Sequence, residues 1–132
     1  MDFSKMGGLL PAVVQDEGSS EVLMVGFMNE EAWQRTRDSG YVTFFSRTRQ
    51  TLWMKGETSG NRLLVRQVLL DCDEDTLLFK VRREGDGNVC HLNRVSCFVP
   101  TEPGGGGPPM SGGGLAPPKL GGSGPATSGG GR

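Results

Sequence analysis

Three cysteines, Cys72, Cys90 and Cys97, are the softest metal donors in the chain, and its single histidine, His91, directly follows the middle one. Three thiolates make a tight site for Zn²⁺. Two arrangements are open. A closed Cys₃His set is structural, whereas three protein ligands with water in the fourth position is the catalytic pattern, in which zinc lowers the pKa of that water to roughly 7. The plain alternative is burial of free cysteines as small apolar residues, and the CxxC pairs that mark most zinc modules are absent.

The tightest cluster of carboxylates, Asp71-Cys72-Asp73-Glu74-Asp75, lies between two apolar runs, so an extended backbone is expected through at least part of it. In a strand Asp71, Asp73 and Asp75 share one face, roughly 6–7 Å apart, while Cys72 and Glu74 point the other way. Like charges at that spacing repel, and a hard cation such as Mg²⁺ would turn them into a ligand set. A solvated acidic strand end or turn is the alternative. The register excludes an EF-hand, since Thr76 stands where the sharp-turn glycine belongs.

A third group runs from Ser46 to Asn61 and combines Arg47, Arg49 and Lys55 with Ser46, Thr48, Ser59 and two glycines. Guanidinium forks, hydroxyls and exposed amides suit a phosphate. The order of a P-loop is missing, and a solvated polar loop remains open. Trp53 is placed either to stack on a base or to pack in the core.

These groups need a scaffold. Residues 9–14 form an expected edge strand, because Pro11 cannot donate to a central ladder. Residues 21–28 are a continuous apolar strand, expected to be central. Asn29 caps a helix whose first turn carries Glu30 and Glu31, and Gly40 ends it. Strands follow at 41–45, 51–54, 63–70 and 76–83, then a turn at Gly85-Asp86-Gly87 and a last short strand at 95–99 carrying Cys97. The expected fold class is therefore α+β: a small, mostly antiparallel sheet with one main helix.

The 132 residues are unevenly composed, with 13 of the 22 glycines and six of the eight prolines after residue 100. Residues 1–100 read as the folding unit and 101–132 as a disordered Gly/Pro-rich tail. A unit this small would gain from dimerisation or a bound metal. Net charge is −1 with the two signs mixed, so nucleic acid is not an expected partner. No apolar run approaches the ~20 residues that span a bilayer, and the start lacks a basic-then-apolar leader. A cytoplasmic enzyme or binding protein is expected, with three cysteines better suited to metal or burial than to disulfides.

Residues 44–49, 52–61 and 70–75, and Cys90-His91 followed by Ser96-Cys97-Phe98, resemble in order and distance the motifs of the phosphoribosyl-AMP cyclohydrolase family, as does the strand-to-helix entry at 23–32. The resemblance covers roughly residues 8 to 100. It implies an intertwined homodimer in which Cys72, Cys90 and Cys97 bind one Zn²⁺ with ligands from both subunits, and Asp71, Asp73 and Asp75 bind Mg²⁺. It also implies a nucleotide substrate, phosphoribosyl-AMP, whose adenine ring is opened between N1 and C6 in the third step of histidine biosynthesis. Attack at C6 matches the zinc chemistry of base deaminases, except for the bond that breaks. His91 is expected as base or proton shuttle, with a zinc-ligand role as the competing assignment. Ser46, Arg47, Thr48, Arg49, Trp53, Lys55 and Ser59 are the expected substrate-binding set. Some relatives continue into a phosphoribosyl-ATP pyrophosphohydrolase domain, and the tail shows no helical pattern for one.

Three rivals come from other classes. A non-catalytic zinc-stapled dimer predicts four protein ligands and no exchangeable water. A zinc nucleobase deaminase lacks its Pro-Cys-x-x-Cys signature here, and a redox thiol protein lacks CxxC.

Overall fold

Among the described residues the fold has seven elements: strands β1 (Leu10–Asp16) and β2 (Val22–Met28), helix α1 (Glu30–Ser39), strands β3 (Thr43–Ser46), β4 (Thr51–Met54), β5 (Leu63–Leu70) and β6 (Leu77–Arg83). They are seen in a computed structural model that describes residues 1–101; the expected disordered tail, beyond Thr101, lies outside the described residues. One sheet has the order β2-β1-β6-β5, and β3-β4 is a separate hairpin. Pairing is antiparallel except between β1 and β6. The α+β architecture with one helix is as the sequence predicts.

The positions of the first two strands are the reverse of the expectation. β1 is central, between β2 and β6, and β2 is the edge. Pro11 is tolerated because the β6 ladder begins one residue later, at Ala12 opposite Leu77, so at Pro11 the strand has only β2 beside it. The third expected strand is also shorter and shifted: Tyr41 makes only an isolated bridge to Leu64 before β3 begins.

Alternation on β1 and β6 buries Leu10, Ala12, Val14, Leu77, Phe79 and Val81 on the face that α1 and the β3-β4 hairpin cover. Full burial of Phe44 or Phe79 contributes about 2 kcal/mol each. α1 starts where predicted: Asn29 Oδ1 accepts the Ala32 N–H at 2.8 Å, and Gly40, in the left-handed region at φ 82°, donates its N–H to the Thr36 carbonyl. Thr36 fixes the helix to the hairpin, since its buried hydroxyl accepts the Thr43 N–H at 2.9 Å.

Gly26 on β2 lies beneath the Phe44 ring, and a Cβ there would stand 2.5 Å from the nearest ring carbon. Phe44 is 1% exposed and has no room to yield. Gly26→Ala is expected to lower stability by about 1–3 kcal/mol. Urea unfolding would show this as a lower midpoint at unchanged slope, and an unchanged midpoint would refute the close contact.

Asp16, buried at the end of β1, accepts the Gly18 and Ser19 amides on Oδ2 and Arg83 Nε at 2.9 Å on Oδ1. Burial alone would raise its pKa, but the Ser19 amide and the Arg83 guanidinium outweigh that and hold it below the ordinary aspartate value. A carboxylate depressed in the folded state contributes stability that is present above the unfolded pKa, near 4, and lost as pH falls through the folded value. Asp16→Asn should therefore cost about 2 kcal/mol at pH 7 and little at the acid end, below the folded value. Thermal melts of both proteins across that range check it; a cost that does not shrink with acid would contradict the ionic assignment.

Candidate metal and nucleotide site

Cys90 and Cys97 come together from two sides of an irregular segment. After β6 the chain turns through Gly85 and Gly87, both at positive φ, and Val89 buries itself to anchor the approach. The Cys90 N–H then donates to the Arg94 carbonyl at 3.0 Å, closing a tight turn that buries Cys90 and leaves His91 exposed. The predicted strand at 95–99 is absent. Cys97 is held instead on the edge strand, where a bulge in the β1-β2 pairing leaves Leu23 outside the ladder and its carbonyl accepts the Cys97 N–H at 2.8 Å. Ser96, buried beside it, donates its hydroxyl to the Val22 carbonyl at 2.7 Å and accepts the Phe98 N–H at 2.9 Å. A serine next to a cysteine carries no spacing signal, so in the sequence Ser96 has no role of its own beyond the Ser96-Cys97-Phe98 motif.

The Cys90 and Cys97 thiols are close enough to interact. Burial pushes the Cys97 thiol up and Cys90 adds to this, while the positive charges of Lys55 and Arg94 pull it down. Two adjacent sulfurs under two cations are a donor set that suits a soft metal such as zinc, which favours the thiolate. Cys72 does not join them: among the described residues no group of three or more His, Cys, Asp and Glu side chains converges as a ligand set.

The acidic segment is a turn between β5 and β6, which corrects the extended reading and with it the alternation of two faces. The hairpin closes through the Asp71 N–H to the Thr76 carbonyl, Glu74 takes φ 64°, and Asp71 Oδ1 accepts the amides of Asp75 and Thr76 at 3.0 and 3.2 Å. Those amides hold the Asp71 carboxyl below the ordinary range. Asp71 prevails as a turn-maker because its short carboxylate satisfies two amides that a tight hairpin leaves without ladder partners. Lys5 Nζ lies 3.2 Å from both the Asp73 carbonyl and Asp75 Oδ2. The ammonium thus occupies these oxygens, and Asp71, Asp73 and Asp75 do not converge as a ligand set among the described residues, although hard oxygens are the donor type that Mg²⁺ takes. Cys72 is exposed at this turn.

The basic loop divides. Ser46 and Thr48 hydroxyls lie 3.3 Å apart, and the Arg49 N–H donates to Ser46 Oγ, so these residues form one turn after β3. The Arg47 guanidinium sits 4.1 Å over the Phe27 ring. Trp53 packs against Phe44, with centroids 5.2 Å apart, and Lys55 Nζ stands 5.7 Å above its ring. Trp53 thus serves both the core and the cation. Ser59 accepts the Asn61 N–H within the following turn. Of the expected substrate-binding residues, Lys55 is the one whose charge acts on Cys97.

A sequence model of the family described as phosphoribosyl-AMP cyclohydrolase matches residues 24–99. The chain is 54% identical over 98 residues to the phosphoribosyl-AMP cyclohydrolase of Desulforapulum autotrophicum, covering 74% of this chain and 78% of that protein. The Solibacter usitatus enzyme of the same name is 52% identical, covering 74% and 77%. A histidine biosynthesis bifunctional protein of Vibrio cholerae is 54% identical over 74% of this chain and 46% of its own length.

Proposed function

The chain belongs to the phosphoribosyl-AMP cyclohydrolase family, and from that premise we propose that it opens the adenine ring of 1-(5-phosphoribosyl)-AMP by hydrolysis of the N1–C6 bond, as a zinc- and magnesium-dependent homodimer in the cytoplasm. The enzyme class and its place in histidine biosynthesis follow from its relatives. The observation that carries the metal chemistry is the pair of adjacent thiols, Cys90 and Cys97, beside exposed His91 and under the charge of Lys55.

A homodimer supplies what one chain lacks. The end of β5 that leads to Cys72 exposes Val68, Leu69 and Leu70, so both faces of an edge strand are apolar and uncovered there. Val13, Val22 and Leu78 continue the patch on the outer side of the sheet around a hollow of about 400 Å³. A second copy docked on this end covers that surface and carries its own Cys90 and Cys97 toward Cys72, completing three ligands from two chains. In a reducing compartment the thiols stay available for metal.

When bound, zinc supplies Lewis acidity that makes water nucleophilic near neutral pH. His91, exposed next to Cys90, takes the proton of the attacking water and delivers it to the ring nitrogen that leaves. Oxygen adds at C6, the N1–C6 bond breaks, and C6 becomes the carboxamide carbon while N1 stays on the formimino arm. Lys55 meets a substrate phosphate at the rim, with Arg47, Arg49, Ser46, Thr48 and Ser59 on the same loop system. Mg²⁺ on the turn of Asp71, Asp73 and Asp75 would take the place of the Lys5 ammonium and orient a phosphate.

Turnover of phosphoribosyl-AMP, followed by ultraviolet absorbance before and after zinc is stripped and restored, tests this. Activity that disappears with zinc and returns with it is expected. A folded, zinc-loaded dimer that is inactive with Mg²⁺ present would instead favour the zinc-stapled binding module.

A further inference from the structure

Asn61 ends the loop that begins at Lys55, and its side chain reaches across to the segment that delivers Cys90. Asn61 Oδ1 accepts the Asp86 N–H at 2.8 Å, and Nδ2 donates to the Asn88 carbonyl at 3.3 Å. Its backbone is pinned as well. Gly56, at φ 80°, lies so close that a Cβ there would be 2.1 Å from the Asn61 carbonyl oxygen, and a Cβ on Gly85 would be 2.2 Å from Asn61 Oδ1. Gly56 thus abuts the Asn61 main chain and Gly85 its carboxamide, and a side chain at either position would displace them. The Gly60 N–H closes the loop on the Gly56 carbonyl at 2.8 Å.

We infer that Asn61 is a positioning residue of this site: its carboxamide couples the Lys55 loop to the turn that presents Cys90 and His91. The inference rests on the proposed zinc cyclohydrolase reaction. Lys55 and the thiols belong to segments more than 30 residues apart in sequence. The β5-β6 ladder, ending at Leu63 opposite Arg83, and the Glu84 N–H to the Arg62 carbonyl at 2.9 Å bring only the bases of the two loops together; beyond them, the two hydrogen bonds of the Asn61 carboxamide tie the Lys55 loop to the segment before Cys90. A misplacement of about 1 Å between a binding group and the reacting centre costs on the order of 10²-fold in rate.

Asn61→Ala removes both bonds, while Asn61→Asp keeps the acceptor for Asp86 but faces the Asn88 carbonyl without a donor. Each variant is compared with wild type and with Ala32→Gly, a buried substitution in the first turn of α1 that lowers helix stability without touching either loop. The readouts are kcat and KM, zinc content, and the thiolate-to-metal absorption of the Co²⁺-substituted protein. The expected result is a fall in kcat of about 10–100-fold for Asn61→Ala with a raised KM, an altered Co²⁺ spectrum, and a smaller loss for Asn61→Asp. Ala32→Gly should melt earlier with unchanged kcat and spectrum. If the Asn61 variants share that pattern, the residue is structural and the inference is overturned. Should Asn61→Ala not fold, the kcat and spectrum of Asn61→Asp decide. Wild type without turnover would overturn the cyclohydrolase reading instead, and the Co²⁺ spectrum would still show whether Asn61 shapes the thiol site.

Discussion

Cys90→Ala is expected to abolish zinc binding and turnover together, with residual activity at least 10³-fold below wild type, because a two-thiolate remnant neither holds the metal tightly nor fixes its geometry. The fold should survive the change. Cys90 is held in its turn by main-chain bonds, its N–H to the Arg94 carbonyl and its carbonyl from the Asn93 N–H, and these do not need the sulfur. What is lost is a contact from the Leu92 N–H to Sγ at 3.5 Å and the partner of Cys97. Metal analysis and the ultraviolet assay on the same preparation read both effects, and circular dichroism confirms folding. A zinc-free Cys90→Ala protein with near-normal turnover would end the mechanism.

Replacing His91 separates its two candidate roles. As proton shuttle, His91→Ala leaves zinc content unchanged and lowers kcat by about 10²–10⁴-fold. As a fourth ligand, it would take zinc with it and resemble Cys90→Ala. The side chain is exposed on a tight turn, so stability should hardly change in either case. Exposure also favours the shuttle, since a group that exchanges protons with water must reach it. Zinc content decides between the roles before any rate is measured.

Local signals read correctly where one residue does one local task. Asn29 and Gly40 bracket α1 as expected, because a cap depends on a few backbone groups within one turn. The apolar runs gave β2, β5 and β6 nearly to the residue. Strand order was harder. Pro11 argued for an edge, yet the second neighbour joins at Ala12, and only the register shows that the missing N–H falls just ahead of it. Alternation across residues 71–75 failed for a related reason. Asp71 can be a strand residue or a turn acceptor, and the choice depends on whether β5 and β6 close a hairpin at that point.

The sequence by itself determined the kinds of chemistry available: soft thiols, hard carboxylates, a single imidazole and a basic loop, in an order that marks one enzyme family. Residue type sets donor softness and charge wherever the chain goes. Tertiary structure decided which of these groups meet. Cys90 and Cys97 are brought together by a bulge on β2 and a turn after β6, while Cys72 is carried to an uncovered end of the sheet, and Lys5 comes to the acidic turn from about 70 residues away. Spacing along a chain does not encode such meetings. They arise from long-range pairing, in which the register of each strand and the satisfaction of each buried carbonyl and amide select one arrangement.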